Sequence, residues 1–271
     1  MNRNFVDDEI FREIKRKSEK LEEHRKNLFK LGNRGVFDFI ISKHIAKVIE
    51  KDATMHSYKI EYPGQTDTSF YNAHPSRRSV RKSVEGLFES FNWGKQNFDP
   101  QNINEDYIRN LAGRIDVVFH GSDTAKYRDI GVRVTGATWM PPYPEKIPRE
   151  MERFIQYLKY LLTENDLRSN LEAAIFTHLH LVRIHPFADT NGRTARTLQN
   201  VILNNSGLPL PIVYAGERHD YYEHLNRAIE GWRYRTSSDR EESIDNPNEN
   251  SFYNYTAGKV SASLDRILQR R

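Results

Sequence analysis

The run His185-Pro-Phe-Ala-Asp189-Thr-Asn191-Gly192-Arg193-Thr-Ala-Arg196 gathers an imidazole, a carboxylate, an amide, a glycine and two guanidinium groups. Together these groups suit phosphate chemistry. Pro186 bars a helix through its own position, while Arg193 to Leu203 has helical apolar spacing, so the run reads as a loop entering a helix. The first amides of a helix lack internal partners and lie at the positive end of its dipole, so they attract anions. Gly192 lets the backbone approach such a ligand closely. Arg193 and Arg196 share a helix face and can fork onto phosphate oxygens. Asp189 is a carboxylate of the kind that holds Mg²⁺ beside phosphate. His185 is placed to take a proton from an attacking hydroxyl. The same residues also admit a turn followed by a solvated helix, since Asn-Gly is a common turn dipeptide.

The elements that must position this run read as mostly helical. Helical spacing covers residues 7–31, with Gly32-Asn33-Arg34-Gly35 as its stop, and then Phe37 to Lys51. A polar stretch with Pro63, Gly64 and Pro75 precedes further helices near 77–91 and 103–118. Between Gly121 and Pro148, Val132-Arg133-Val134 alternates, Gly136 follows and Pro141-Pro142 closes, which predicts a short hairpin. Helices resume at about 149–163, 168–183, 190–205 and 219–232. A Ser-, Asp-, Glu- and Asn-rich linker over 236–250 leads to a last helix at Val260–Arg271.

The 271 residues can bury a sizeable core, and 29% of them are charged. No apolar run approaches the ~20 residues that span a bilayer, and the polar N-terminus is no secretory signal. Zero cysteines exclude disulfides and thiolate metal sites, and a net charge of +4 permits an anionic ligand without arguing for a nucleic-acid partner. A cytoplasmic location is the expectation. A zinc hydrolase is disfavoured: His178, His180, His185 and Asp189 match no zinc spacing, and that reading leaves both arginines unexplained. No P-loop occurs.

The 185–196 run resembles the signature of the Fic (Fido) family, His-Pro-Phe-x-(Asp/Glu)-Gly-Asn-Gly-Arg-x-x-Arg. It departs at Thr190, where that family usually has glycine. The resemblance extends over roughly residues 55–232. The segment Ala174 to His185 is similar to the helix entering the motif. Tyr127-Arg128, Val132 to Gly136 and Pro141-Pro142 look like the family's flap, with Val132, Val134, Thr135, Gly136 and Ala137 as target-docking residues. An extended peptide can add to a hairpin edge through main-chain bonds. Arg218 to Leu225 is like the segment whose tyrosine packs on adenine, although Tyr221 and Tyr222 are equally readable as core residues. The family's inhibitory pattern, (Ser/Thr)-x-x-x-Glu-(Gly/Asn), is similar to Ser57…Glu61, with Tyr62 in place of the small residue. Glu85-Gly86 competes but puts Arg81 at the Ser/Thr position.

The resemblance implies a mainly α Fic-fold helical bundle with a short β-hairpin flap. Its expected divisions are an N-terminal helical extension (1–54), a helical segment with the inhibitory motif (55–98), a Fic core (99–235), and a linker with C-terminal helix (236–271). It implies a transferase, a nucleotidyltransferase that moves AMP from ATP onto a Ser, Thr or Tyr hydroxyl of a target protein, itself included. Asp189 would hold Mg²⁺, while Asn191, Gly192 and Arg193 orient the α- and β-phosphates. Arg196 would seat the γ-phosphate, His185 act as base, and Glu61 block Arg196. Transfer of another phosphate-containing group, removal of AMP, and a non-catalytic helical interaction module are the alternatives. Residues 1–50 and 236–271 are open to target recognition, a homodimer interface or packing.

Overall fold

The computed structural model describes residues 4–28, 33–62, 75–237 and 247–269. Gly32, Pro63, Gly64 and most of the expected linker lie outside them. The described residues form helices α1 (Asp8–Leu28), α2 (Asn33–Glu61), α3 (Pro75–Asn97), α4 (Glu105–Ile115), α5 (Val117–His120), α6 (Ile147–Thr163), α7 (Leu167–Ile184), α8 (Asn191–Asn205), α9 (Arg218–Ser237) and α10 (Pro247–Gln269).

The bundle is built around α7 and α8. Every residue from Asn170 to Val182 is buried, as is every one from Arg193 to Leu203. Helices covered on all sides belong at the centre of a packed domain, and α6, α9 and α10 pack on α7 while α2, α3 and α4 pack on α8. Asp166 starts α7 by accepting from the Arg168 and Ser169 amides at 2.8 and 3.2 Å, a side-chain N-cap.

Three boundaries differ from the expected ones. Asn33, Arg34 and Gly35 begin α2 instead of breaking it, and α2 runs unbroken past Lys51 to Glu61. Its buried residues Ile45, Ile49 and Ala53 recur every fourth position, so the same row continues to Ser57 and Glu61. The helix expected over 103–118 breaks at Asp116, whose carboxylate caps the Phe119 amide of α5 at 3.0 Å. The final helix starts at Pro247, where proline suits a first turn.

The hairpin expected near 132–138 is not present as paired strands. Among the described residues the ladder contact is a single bridge, Tyr127 to Phe187. The segment is instead an extended loop with a tight turn, Ala137 N–H to Val134 O at 3.1 Å, in which Gly136 takes φ +80°. Its polar groups pair outward: Asn226 donates to the Gly136 carbonyl at 2.9 Å, Trp139 Nε1 donates to Asn226 at 3.1 Å, and Thr138 bonds Glu230. Pro141 and Pro142 have no N–H to give to a ladder.

Candidate active site

The end of α7 presents His185. It takes φ +52°, ψ +57°, the left-handed conformation of a helix stop, and its amide donates to Leu181 O at 3.0 Å. Pro186 prevents the helix from continuing. The ring Nδ1 donates to Val182 O at 3.3 Å, which leaves Nε2 with its lone pair. Burial, reinforced by the charge of Arg128, pushes the His185 pKa down to about 4 against the opposing pull of the Val182 carbonyl, Glu61 and Asp189. At neutral pH the ring is therefore uncharged and can accept a proton.

The next five residues form the mouth of α8. Asn191 is buried and its side chain clasps the main chain of Phe187, accepting from the amide at 2.9 Å and donating to the carbonyl at 2.8 Å. It thus shapes the loop, with both polar ends committed. Asp189 accepts from the Thr190 amide at 2.6 Å and from Arg193 Nη2 at 3.0 Å, while its side chain stays 45% exposed. Thr190 caps the helix at φ +70°, ψ 0°, a backbone region where a β-branched residue is strained and glycine is at home. The first helical bond is the Thr194 amide to Thr190 O at 2.8 Å, so the amides ahead of it belong to the open end of the helix.

Both arginines are buried, in different states. Arg193 is 1% exposed, and its Nη1 has no hydrogen-bond partner among the described residues, with Asp116 Oδ2 at 4.0 Å. A buried guanidinium with an unused donor is prepared for an acceptor. Arg196 is held at all three of its guanidinium nitrogens. Its Nε donates to Ser57 Oγ at 2.8 Å, and its Nη2 to Ser57 O at 3.1 Å and Glu61 Oε1 at 2.6 Å. Its Nη1 donates to Tyr221 OH at 3.2 Å. The row of α2 that carries Ser57 and Glu61 thus meets the expected arginine. Gly192 makes this possible: a Cβ there would collide with the Glu61 carboxylate. Glu85 is instead exposed on α3, and Gly86 lies against the Ile115 carbonyl where α3 crosses α4.

Tyr221 and Tyr222 separate. Tyr221 is 1% exposed and its hydroxyl donates to His178 Nε2 at 2.8 Å, while His178 Nδ1 donates to Gln199 at 2.8 Å. Tyr221 therefore braces Arg196 from the core and offers no ring face to a ligand. Tyr222 is half-buried, with the Arg218 guanidinium 4.8 Å from its ring centre. Among the flap residues, Val132, Val134 and Ala137 are half-buried, while Thr135 and Gly136 are exposed.

Two supporting residues were not evident from the motif. Arg128, 4% exposed, donates to three carbonyls: His185 O at 2.7 Å, Ile130 O at 2.8 Å and Pro142 O at 2.6 Å. Its own amide donates to Pro186 O at 2.9 Å. One guanidinium thus ties the flap to the base-bearing loop. His120, from α5, bonds the Thr190 hydroxyl at 3.1 Å. Neither residue is near the motif in sequence; Arg128 is legible there only as part of the flap-like Tyr127-Arg128 pair, with no role attached, and no local pattern marks His120.

Residues 102–203 match the model of the Fic/DOC family, a window that contains Arg128, His185, Asp189, Arg193 and Arg196. They form a Fic/DOC domain. The chain is 38% identical over 131 residues to Protein adenylyltransferase Fic from Nematostella vectensis, a match covering 48% of this chain and 30% of that protein. The chain therefore spans less than a third of the length of that relative. A Fic domain containing signalling protein from Bacteroides thetaiotaomicron has the same fold, with a TM-score of 0.70 at 19% identity over 94% of this chain and 99% of that one. Fic-1 from C. elegans gives 0.65 at 20% identity, over 94% and 72%. The Fic window begins after Ser57 and Glu61, so the contact with Arg196 joins the domain to a preceding helix. Among the described residues no helix is long and apolar enough to cross a membrane.

Proposed function

We propose that the chain is a protein adenylyltransferase that moves AMP from ATP to a hydroxyl of a target protein and is held inactive by Glu61. The observation that carries this reading is that the one loop-to-helix junction holds both an uncharged His185, at its start, and a buried Arg193 with an unused Nη1, on the first turn of α8. Its relatives named protein adenylyltransferase Fic support the class of reaction.

ATP would enter with its phosphates over the α8 amides and Arg193. Among the described residues no three acidic or imidazole groups cluster to cage a metal. The single half-exposed Asp189 carboxylate suits Mg²⁺ that arrives with the nucleotide, since Mg²⁺ commonly takes one or two carboxylates plus substrate phosphates. That ion would screen phosphate charge. His185 Nε2 takes the proton of a Ser, Thr or Tyr hydroxyl as its oxygen bonds to the α-phosphorus. The bond from that phosphorus to the β-bridging oxygen breaks, and pyrophosphate leaves. The half-buried Tyr222 is the tyrosine available to the adenine. Positioning and charge neutralisation supply most of the acceleration.

Glu61 opposes this by occupying Arg196, the group assigned to the γ-phosphate, with Ser57 holding the other guanidinium edge. The test is incubation of wild-type, Glu61→Gly and Glu61→Gly/His185→Ala proteins with ATP-Mg²⁺ and cell lysate, followed by mass spectrometry. The expected result is an AMP adduct that rises in Glu61→Gly and vanishes in the double variant. An adduct of different mass would replace AMP with another group, adducts surviving His185→Ala would remove the base assignment, and no adduct in any sample would overturn the reaction.

A further inference from the structure

The transfer chemistry leaves a second surface unused. A groove of about 680 Å³ lies between the flap's base and the C-terminal half of α9, and includes Arg133, Met140, Tyr143, Lys146, Trp232 and Arg233 in its lining. Met140 is 53% exposed and Tyr143 73%, beside Ile130 at 60%. Contiguous apolar exposure rimmed by charge marks interaction surfaces on soluble proteins.

Its charge is one-sided. Arg133, Lys146 and Arg233 have no ion-pair partner among the described residues, whereas the groove's carboxylate, Glu150, is taken by Arg183 at 2.8 Å. Arg183 also lies 3.9 Å from the centre of the Trp232 ring, which fixes the indole in the floor. What remains is an apolar floor under three unneutralised cations.

The groove is also preformed. Arg128 holds the wall at Ile130 O and Pro142 O, and Asn226 holds it at Gly136 and Trp139. The same Arg128 guanidinium bonds His185 O at 2.7 Å, so the wall is rigidly related to the base. A surface fixed in advance avoids the ordering cost of binding.

We propose that this groove docks an acidic segment of the target protein that carries a large apolar or aromatic side chain, and so helps choose which hydroxyls reach His185. The inference rests on the transfer reaction proposed above. An acidic peptide fits better than a nucleic acid, because three cations around an apolar floor do not track a phosphate backbone and the net charge is only +4.

The test uses fluorescent hydroxyl-bearing peptides with Asp/Glu flanks and a central Trp, with Lys in place of the acids, or with Ala in place of Trp. Anisotropy is read without ATP on the whole chain and on Lys146→Glu/Arg233→Glu, whose altered side chains are both exposed. The acidic Trp peptide should bind at least about tenfold tighter than either control, and the double variant should lose about tenfold, more at low salt than at high. In a Glu61→Gly background, transfer to that peptide should suffer in KM with kcat unchanged. Equal binding of acidic and basic peptides, or an unaffected double variant, overturns the docking proposal. Displacement of the peptide by oligo-dT at equal concentration overturns it in favour of a nucleic-acid site. Binding without ATP reports on the groove alone, whereas His185-dependent transfer to any substrate reports on the reaction, so the two readings fail separately.

Discussion

His120 Nε2 lies 3.1 Å from the Thr190 hydroxyl, and that hydroxyl donates to the Asp189 carbonyl at 2.6 Å. The hydroxyl thus accepts from the ring and donates to the turn. Thr190 holds φ +70° at the position where the signature this run resembles has glycine. A left-handed residue with a Cβ costs roughly 1–2 kcal/mol. The two hydrogen bonds, at about 1 kcal/mol each, offset that cost and tie α5 to the mouth of α8.

A double-mutant cycle isolates this tie. His120→Ala should lower stability by about 1 kcal/mol beyond its lost ring packing, and that extra loss should disappear in a Thr190→Gly background. Thermal unfolding of the four proteins gives the coupling. Strict additivity would show that the hydrogen bond contributes nothing.

Removing Glu61 should increase transfer and decrease stability together. In Glu61→Gly, Arg196 keeps Ser57 and Tyr221 but loses its carboxylate. With Glu61 28% exposed, the expected loss is about 1–3 kcal/mol, below that of a fully buried pair. ATP-Mg²⁺ should then raise the Tm of Glu61→Gly more than that of wild type. Equal shifts would mean that Glu61 does not compete with nucleotide.

Acid should weaken the fold in a defined window. Burial foremost, helped by the charge of Arg196, pushes the His178 pKa down to about 3, and burial pushes His185 to about 4. The unfolded chain, with histidine near 6.5, binds these protons more readily than the folded one. Stability is therefore complete above pH ~6.5 and falls as pH drops from there toward the folded values, with a limiting slope of about 1.4 kcal/mol per pH unit for buried His178. Urea midpoints across pH 4.5–8 should show that decline, and His178→Gln should make it shallower while the other buried histidines, His180 and His185, keep part of it. Transfer by Glu61→Gly should show no inflection near pH 6.5, because His185 is already deprotonated there; a rise centred at 6.5 would contradict its environment.

Arg128 should act on rate more than on nucleotide affinity. Lysine cannot reach three carbonyls in a fork, so Arg128→Lys loosens the flap and the His185 loop together. We expect stability to fall by about 2 kcal/mol, and kcat by about tenfold or more, with ATP affinity by calorimetry unchanged. A parallel loss of ATP affinity would place its effect on the α8 mouth instead.

The motif was legible because its chemistry is local: Pro186, Gly192 and the arginine spacing describe one loop-to-helix junction. The spacing of Ser57 and Glu61 likewise puts them on one helix face, whereas their continuity with Ile45, Ile49 and Ala53 came only with the unbroken α2. Tertiary structure decided which groups meet. Ser57 reaches Arg196 across 139 positions, and Arg128 reaches His185 across 57. It turned Tyr221 into a brace by burying it, and it left the flap unpaired because the loop's polar groups found partners on α9. Helix period and turn chemistry depend on near neighbours, so sequence carries them. Pairings between distant side chains depend on how whole helices pack, and no local spacing encodes that.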